Sequence, residues 1–150
     1  MREVVSWDAG ASPFAVAEHL VLGQAERAVA GIETLFHGGA SQRDGSRVID
    51  VGGVTAQFAS AVSAKIREAL AGSRAMEGGV EPRAAAGVAG VKGPPQALQA
   101  FERRAKARPS DDWARMLEEL GNVERRARSS AGADATDFAH LAIRWRLRQA

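Results

Sequence analysis

Apolar side chains recur at steps of three and four residues through the first quarter of the chain. At about 100° per residue they form one helical stripe, whose members are Phe14, Ala17, Val21, Ala25, Ala28, Ile32, Leu35 and Phe36. Ser12-Pro13 suits a helix start, and Gly38-Gly39 suits a helix end. The pattern predicts a single helix over residues 13–37, with Val16 and Leu20 lying off its main stripe.

A second apolar stripe follows a polar segment at residues 38–50. Its members, again at helical spacing, are Val51, Val54, Phe58, Val62, Ile66 and Ala69. Gly72 is expected to cap this helix. The stretch Val48-Ile49-Asp50-Val51 has strand-like composition, but no second strand is evident, so a loop leading into the helix is expected. The two helices predict a long antiparallel hairpin over residues 1–72.

Residues 73–95 differ in composition from the helices on either side. The stretch 72–95 holds six glycines and three prolines and almost no large apolar side chain. Such a segment buries too little apolar surface to offset the entropy lost on ordering. We therefore predict a flexible linker over residues 73–95.

Three shorter helices are predicted over residues 96–150. The first spans about residues 95–107 and ends before Pro109, the second begins at Ser110, and the third is capped by Asp134. The expected buried positions are Leu98, Phe101, Trp113, Met116, Leu117, Leu120, Val123, Phe138, Leu141, Ala142 and Trp145. The chain is thus predicted to be all-α, with a long antiparallel helical hairpin, a flexible Gly/Pro linker and a small three-helix C-terminal segment.

The last predicted helix is apolar on two sides. Ile143 and Leu147 lie about 140–180° around the helix from Phe138, so one of the two stripes needs a second covering surface. A segment this small supplies few large apolar side chains for that purpose, and association with another chain is the simpler explanation. We therefore predict a partner-binding surface formed by Ile143 and Leu147, with Trp145 as its anchor.

The amino-acid composition also indicates a small hydrophobic core. Of the 150 residues, 31 are Val, Leu, Ile or Phe, which is close to the share of about 20% below which disorder is expected. Cysteine is absent, which excludes a disulfide-stabilised scaffold. The sequence contains no apolar run of about 18 residues, so no membrane span is predicted.

The formal net charge is only +2, but basic residues are grouped towards the C-terminus. Arginines bind phosphate oxygens, so the candidate nucleic-acid contacts are Arg103, Arg104, Arg125, Arg126 and Arg128. Glutamates interleave with these arginines, and cations near helix C-termini also complement the helix dipole. A small DNA- or RNA-binding regulator is therefore the alternative function.

No constellation of side chains predicts catalysis or metal binding. Cysteine and tyrosine are absent, and no serine lies in a Gly-x-Ser-x-Gly turn. His19 and His37 would be about 27 Å apart along one helix, too far to share a metal ion. Lys92 lacks the following Ser or Thr of a phosphate-binding loop. We predict a protein that is not an enzyme and holds no cofactor or metal.

The excess of arginine over lysine, 17 to 3, indicates a bacterial or phage origin. The N-terminal residues lack the apolar run of a signal peptide, so a cytoplasmic protein is expected, with export by another route left open. The first hypothesis is a helical interaction protein, an adaptor or a subunit of a bacterial or phage assembly, that binds a protein partner or copies of itself. A secretion-apparatus component or exported substrate is a third hypothesis.

Overall fold

The computed structural model describes residues 12–41, 44–129 and 134–147. These residues form seven helices and one pair of two-residue strands, and the prediction of an all-α chain is confirmed. In chain order the elements are α1 (Pro13–Val21), α2 (Ala25–Gly38), β1 (Ala40–Ser41), β2 (Arg47–Val48), α3 (Val51–Glu77), α4 (Pro82–Val88), α5 (Pro95–Ala107), α6 (Ser110–Ala127) and α7 (Ala135–Arg144).

The single helix predicted over residues 13–37 is wrong, because the chain turns between α1 and α2. Gly23, in this turn, has a φ of +75°, a left-handed conformation that glycine adopts without the steric cost other residues incur. The Leu22 N–H donates to the Glu18 carbonyl at 3.0 Å and closes the last turn of α1. Since α1 and α2 pack against each other, the first arm of the predicted hairpin is itself two packed helices.

The turn changes which side chains of this region are buried. Val16 and Leu20, predicted to lie off the apolar stripe, are buried, whereas Phe14, predicted to lie on it, is 64% exposed. The predicted positions that remain buried on α2 are Ala28, Ile32 and Leu35. A stripe that is continuous on one straight helix does not stay on one face across a turn.

A short strand pair connects α2 to α3. β1 pairs antiparallel with β2, with Ala40 opposite Val48, so the prediction that no strand pairs here is wrong. Two-residue strands are too short to produce a recognisable alternating pattern. The Asp50 carboxylate accepts a hydrogen bond from the Gly53 N–H at 2.8 Å, and this cap begins α3 where a helix was predicted.

α3 continues to Glu77, so the prediction that Gly72 caps this helix is wrong. Gly72 is buried inside the helix because the ring of Phe101 on α5 lies against it. A β-carbon at position 72 would clash with Phe101 Cζ and would lie 2.8 Å from Phe101 Cε1. Glycine is a poor helix former, but the absence of a side chain at position 72 allows the aromatic ring to approach closely.

The chain divides into two compact units, residues 1–62 with 122–150 and residues 63–121. The predicted segments 1–72, 73–95 and 96–150 do not correspond to these units. Because α7 packs on α2, residues distant in the chain share the first unit.

In the first unit, α7 contributes the aromatic part of the core. The ring of Phe138 lies 6.0 Å from that of Phe36 on α2 and 4.9 Å from that of Phe58 on α3. Asp134 caps α7 as predicted, and the Asp137 carboxylate accepts from the Asp134 N–H at 3.0 Å to complete a capping box. The buried face predicted for this helix is confirmed, comprising Phe138, Leu141, Ala142 and Trp145.

In the second unit, α4 and α5 pack against each other. α4 lies within the predicted flexible linker, and that prediction is wrong here, because Ala85 and Ala86 are buried against Phe101 and Ala105 of α5. Small side chains let the two helices approach closely, and the one large ring comes from α5. Pro82 starts α4 at a position where its missing N–H is not needed.

α6 begins at Ser110 as predicted, but an acidic side chain of α3 caps it. The Glu77 carboxylate accepts hydrogen bonds from the Ser110 hydroxyl at 2.6 Å and from the Ser110 N–H at 2.8 Å. These two bonds hold the pKa of Glu77 below its ordinary value. On α6 the predicted positions that are fully buried are Trp113, Met116, Leu120 and Val123, and Leu117 is half-buried.

Candidate functional site

α7 exposes one large apolar side chain beside its buried face. Ile143 is 65% exposed, whereas Leu141 and Ala142, its neighbours in the chain, are buried in the first unit. The exposed isoleucine thus sits on a helix that is held in place by its own core contacts. Large apolar side chains presented on a fixed element are typical of interaction surfaces.

Leu147 lies beyond the end of α7, against the turn between α1 and α2. A β-carbon placed on Gly23 would lie 2.7 Å from Leu147 Cγ and 3.0 Å from the Trp145 carbonyl oxygen. The Trp145 N–H donates to the Leu141 carbonyl at 2.8 Å, which closes the last turn of the helix. Leu147 keeps 36% of its surface exposed.

Ile143 and Leu147 line one open groove with a volume of about 1000 Å³. One side of this groove is the segment Gly23–Arg27, which comprises the turn and the start of α2. The other side is the end of α7 and the residues that follow it. We call this feature the α2–α7 groove.

Most of the charged residues that line the α2–α7 groove are basic. Arg27, Arg144 and Arg146 line it with exposed side chains, and Glu26 is the one acidic residue among the described lining residues. α2 begins in the groove, and its N-cap residue Gln24 makes no capping hydrogen bond with its side chain. The positive end of the helix dipole therefore adds to the field of the arginines.

Two of the three predicted partner-binding residues, Ile143 and Leu147, lie together in this groove. The third, Trp145, does not, because it is only 3% exposed and belongs to the core of its own unit. The prediction that Trp145 anchors a partner is therefore wrong. Its role is to fix the position of the segment that carries Leu147.

The first group of predicted nucleic-acid contacts is only partly exposed. Arg104 is buried and forms an ion pair with Glu68 of α3 at 3.1 Å, so as a phosphate contact that prediction is wrong. Arg108, in the same basic run, lies over the Trp113 ring at 5.5 Å, and burial lowers the pKa of its guanidinium. Arg103 is exposed.

The second group of predicted contacts belongs to the first unit. Arg126 binds the Asp137 carboxylate at 2.9 Å, and Arg125 donates to the side-chain oxygen of Asn122. Arg128 is exposed. Arg125 and Arg126 remain largely accessible, but their nearest partners are groups of this chain.

A second cavity, of about 440 Å³, also lies in the first unit. Its walls come from the start of α3, the end of α6 and the ring of Phe138. Its charged residues, Glu124 and Arg128, have opposite signs and the spacing of an intrahelical pair. Small apolar walls with a neutral rim do not specify a class of ligand.

Within the residues that the structure describes, no group of three His, Asp or Glu side chains is arranged to hold a metal ion. His19 shares a hydrogen bond with Gln24 at 2.6 Å, across the turn between α1 and α2. None of the described helices combines the length and apolar character needed to cross a membrane.

Sequence reasoning missed the α2 side of the groove. Ala25 was assigned to a buried stripe of a continuous helix, and Glu26 and Arg27 received no role. Gly23, followed by polar Gln24, was the available signal for a turn, since glycine is unfavourable in the middle of a helix.

Comparison with protein families, with curated proteins and with solved structures finds no match to this chain. The chemistry of its own surface is therefore the basis on which its function can be inferred.

Proposed function

We propose that this chain is a non-enzymatic helical interaction protein, an adaptor or a subunit of a bacterial or phage assembly. It binds a protein partner through the α2–α7 groove. The observation that carries this proposal is the 65% exposure of Ile143 on a helix whose buried face, Phe138, Leu141 and Ala142, forms part of the core of the unit.

The energetics favour a partner at this position. Covering a side chain such as isoleucine or leucine contributes about 1.5–3 kcal/mol when it is fully removed from water. Ile143 and Leu147 line the same groove, so one docking segment can cover both. A groove lined by both apolar and charged side chains suits a protein interface, which combines apolar contacts with polar ones.

The ion pairs of the predicted nucleic-acid residues support this choice over a DNA- or RNA-binding regulator. Arg104 and Arg126 each bind a carboxylate of this chain. A phosphate would have to displace those carboxylates. A protein partner can cover the exposed Ile143 side chain without displacing them.

The test is photo-crosslinking from position 143 in the native cell. A photoreactive amino acid replaces Ile143 in one variant and Ile49 in a matched control, because Ile49 is also an exposed isoleucine, at 70%, but lies outside the groove. We expect a specific protein crosslinked from position 143 and not from position 49.

The identified protein is then purified and titrated against the wild-type chain, Ile143→Asp and Ile49→Asp. We expect Ile143→Asp to abolish binding and Ile49→Asp to leave it unchanged, with the unfolding free energy of each variant within about 0.5 kcal/mol of wild type, as for other surface changes. Equal binding by both variants would contradict the proposal.

A further inference from the structure

We infer that the partner in the α2–α7 groove is a different chain, whose docking segment is an amphipathic helix with acidic residues flanking its apolar stripe. This inference rests on the proposed function, since it names the chemistry of what the groove binds.

The charge of the groove selects an acidic segment. Among the described lining residues, arginines outnumber carboxylates, and Arg27 and Arg146 are exposed. They come from both sides of the groove, so carboxylates on either flank of a docked segment meet a guanidinium. The start of α2 adds the partial positive charge of its N–H groups to the same region.

The same charges disfavour a second copy of this chain. A symmetric dimer places the same patch on both sides of the interface. Arg27 and Arg146 of one copy would then meet the same basic surface of the other copy. Like charges facing each other across an interface oppose association.

The exposed apolar side chains of the groove disfavour nucleic acid. Ile143 and Leu147 line the groove with exposed surface, and a phosphate backbone gains nothing from covering them. A segment with both apolar and anionic side chains can cover these two residues and also pair with the arginines.

The backbone of the groove favours a helical segment. Its described lining comes from a helix start, a helix end and the turns beside them, which offer no strand edge to an extended peptide. Recognition therefore depends on side chains, and an amphipathic helix presents apolar side chains at steps of three and four residues to such a groove.

The inference is tested with a phage-displayed library of helical peptides that share one leucine stripe and carry Glu and Lys at equal frequency elsewhere. The library is selected on the full wild-type chain and counter-selected on Ile143→Asp. We expect enrichment of Glu over Lys beside the leucines. Enrichment of Lys, no preference, or no enrichment would each overturn the inference.

A selected peptide is then titrated against charge-reversal variants by fluorescence anisotropy. Arg27→Glu combined with Arg146→Glu is expected to weaken binding at least about tenfold, and added salt to weaken binding to wild type. Arg103→Glu, an exposed arginine of the other unit, is the matched control and is expected to bind like wild type. Equal affinities for all variants would overturn the inference.

Two further measurements separate failure of this inference from failure of the proposed function. Sedimentation that shows a dimer lost on Ile143→Asp, or a labelled DNA or RNA strand bound in the groove, overturns the acidic partner. A dimer would still satisfy the proposed protein-binding function, whereas bound nucleic acid together with no crosslinked protein would not.

Discussion

Gly23 lies directly against Leu147, although the two residues are more than a hundred positions apart in the chain. A β-carbon on Gly23 would lie 2.7 Å from both the Cγ and the backbone nitrogen of Leu147. Gly23 also holds a φ of +75° in the turn between α1 and α2. One glycine thus makes the turn and also allows the segment after α7 to pass over it, so both sides of the α2–α7 groove depend on it.

Gly23→Ala is expected to destabilise the protein and to weaken partner binding. The left-handed conformation alone costs a non-glycine residue about 1–2 kcal/mol, and the contact with Leu147 adds to this. Urea unfolding measures the decrease in the free energy of unfolding. Gly38→Ala, at the end of α2 where a β-carbon meets nothing within 4 Å, is the control and is expected to retain wild-type stability or better. Equal stability of the two variants would contradict the role of Gly23.

Gly72→Ala is expected to destabilise the second unit despite its better helix propensity. The new β-carbon would overlap the buried ring of Phe101, and overpacking of this kind costs about 1–3 kcal/mol. The gain in helix propensity returns about 1 kcal/mol, so the net loss is up to about 2 kcal/mol.

The matched variant for this prediction is Gly87→Ala on α4, where a β-carbon meets nothing within 4 Å. We expect it to stabilise the protein by about 0.5–1 kcal/mol, since it gains propensity without a contact. Thermal unfolding compares the stabilities of Gly72→Ala and Gly87→Ala with that of wild type. If both glycine variants were stabilising, the close approach of Phe101 to Gly72 would be disproved.

Phe138→Ala is expected to cost about 3–5 kcal/mol in the free energy of unfolding. Its ring is fully buried between Phe36 and Phe58, and truncation leaves a cavity. Phe14→Ala, at a phenylalanine that is largely exposed, is expected to change stability by less than about 0.5 kcal/mol. Comparable losses for the two variants would show that Phe14 is buried as the apolar periodicity alone predicts.

Glu77 is expected to make stability depend on pH in the acid range. The hydrogen bonds from the Ser110 hydroxyl and N–H lower its pKa in the folded chain from the ordinary value of 4.5. The stabilisation from Glu77 is therefore fully present above pH 4.5 and is lost as the pH falls through the folded pKa. Glu77→Gln should be less stable than wild type at neutral pH, and the difference should narrow in acid.

Denaturant unfolding across this pH range measures the effect. Glu118→Gln, at an exposed carboxylate on the helix that begins with Ser110, is the control and is expected to change the free energy of unfolding at neutral pH by less than about 0.5 kcal/mol. A constant difference between Glu77→Gln and wild type at every pH would mean that the carboxylate does not titrate in this contact.

Much of the second half of the fold could be predicted from local sequence, because its signals act within one helical turn. Asp134 and Asp137 form the capping box of α7, Pro95 starts α5, and Trp113, Met116 and Leu120 form the predicted face of α6. Ile143 and Leu147 were identified for the same reason, since their angular separation from Phe138 is a property of helical geometry. For this groove the sequence indicated its two large apolar residues.

Other features depend on residues brought together from distant parts of the chain. Periodicity runs unbroken through Gly23, so the apolar pattern does not reveal the turn there, and it gives no sign that Leu147 packs against it. The burial of Arg104 depends on Glu68, and that of Ala85 on Phe101, neither of which a window of a few residues can reveal. The sequence by itself determined an all-α chain with an exposed isoleucine near its end. The tertiary structure decided which residues line the groove together with that isoleucine, because a groove forms only where separate elements meet.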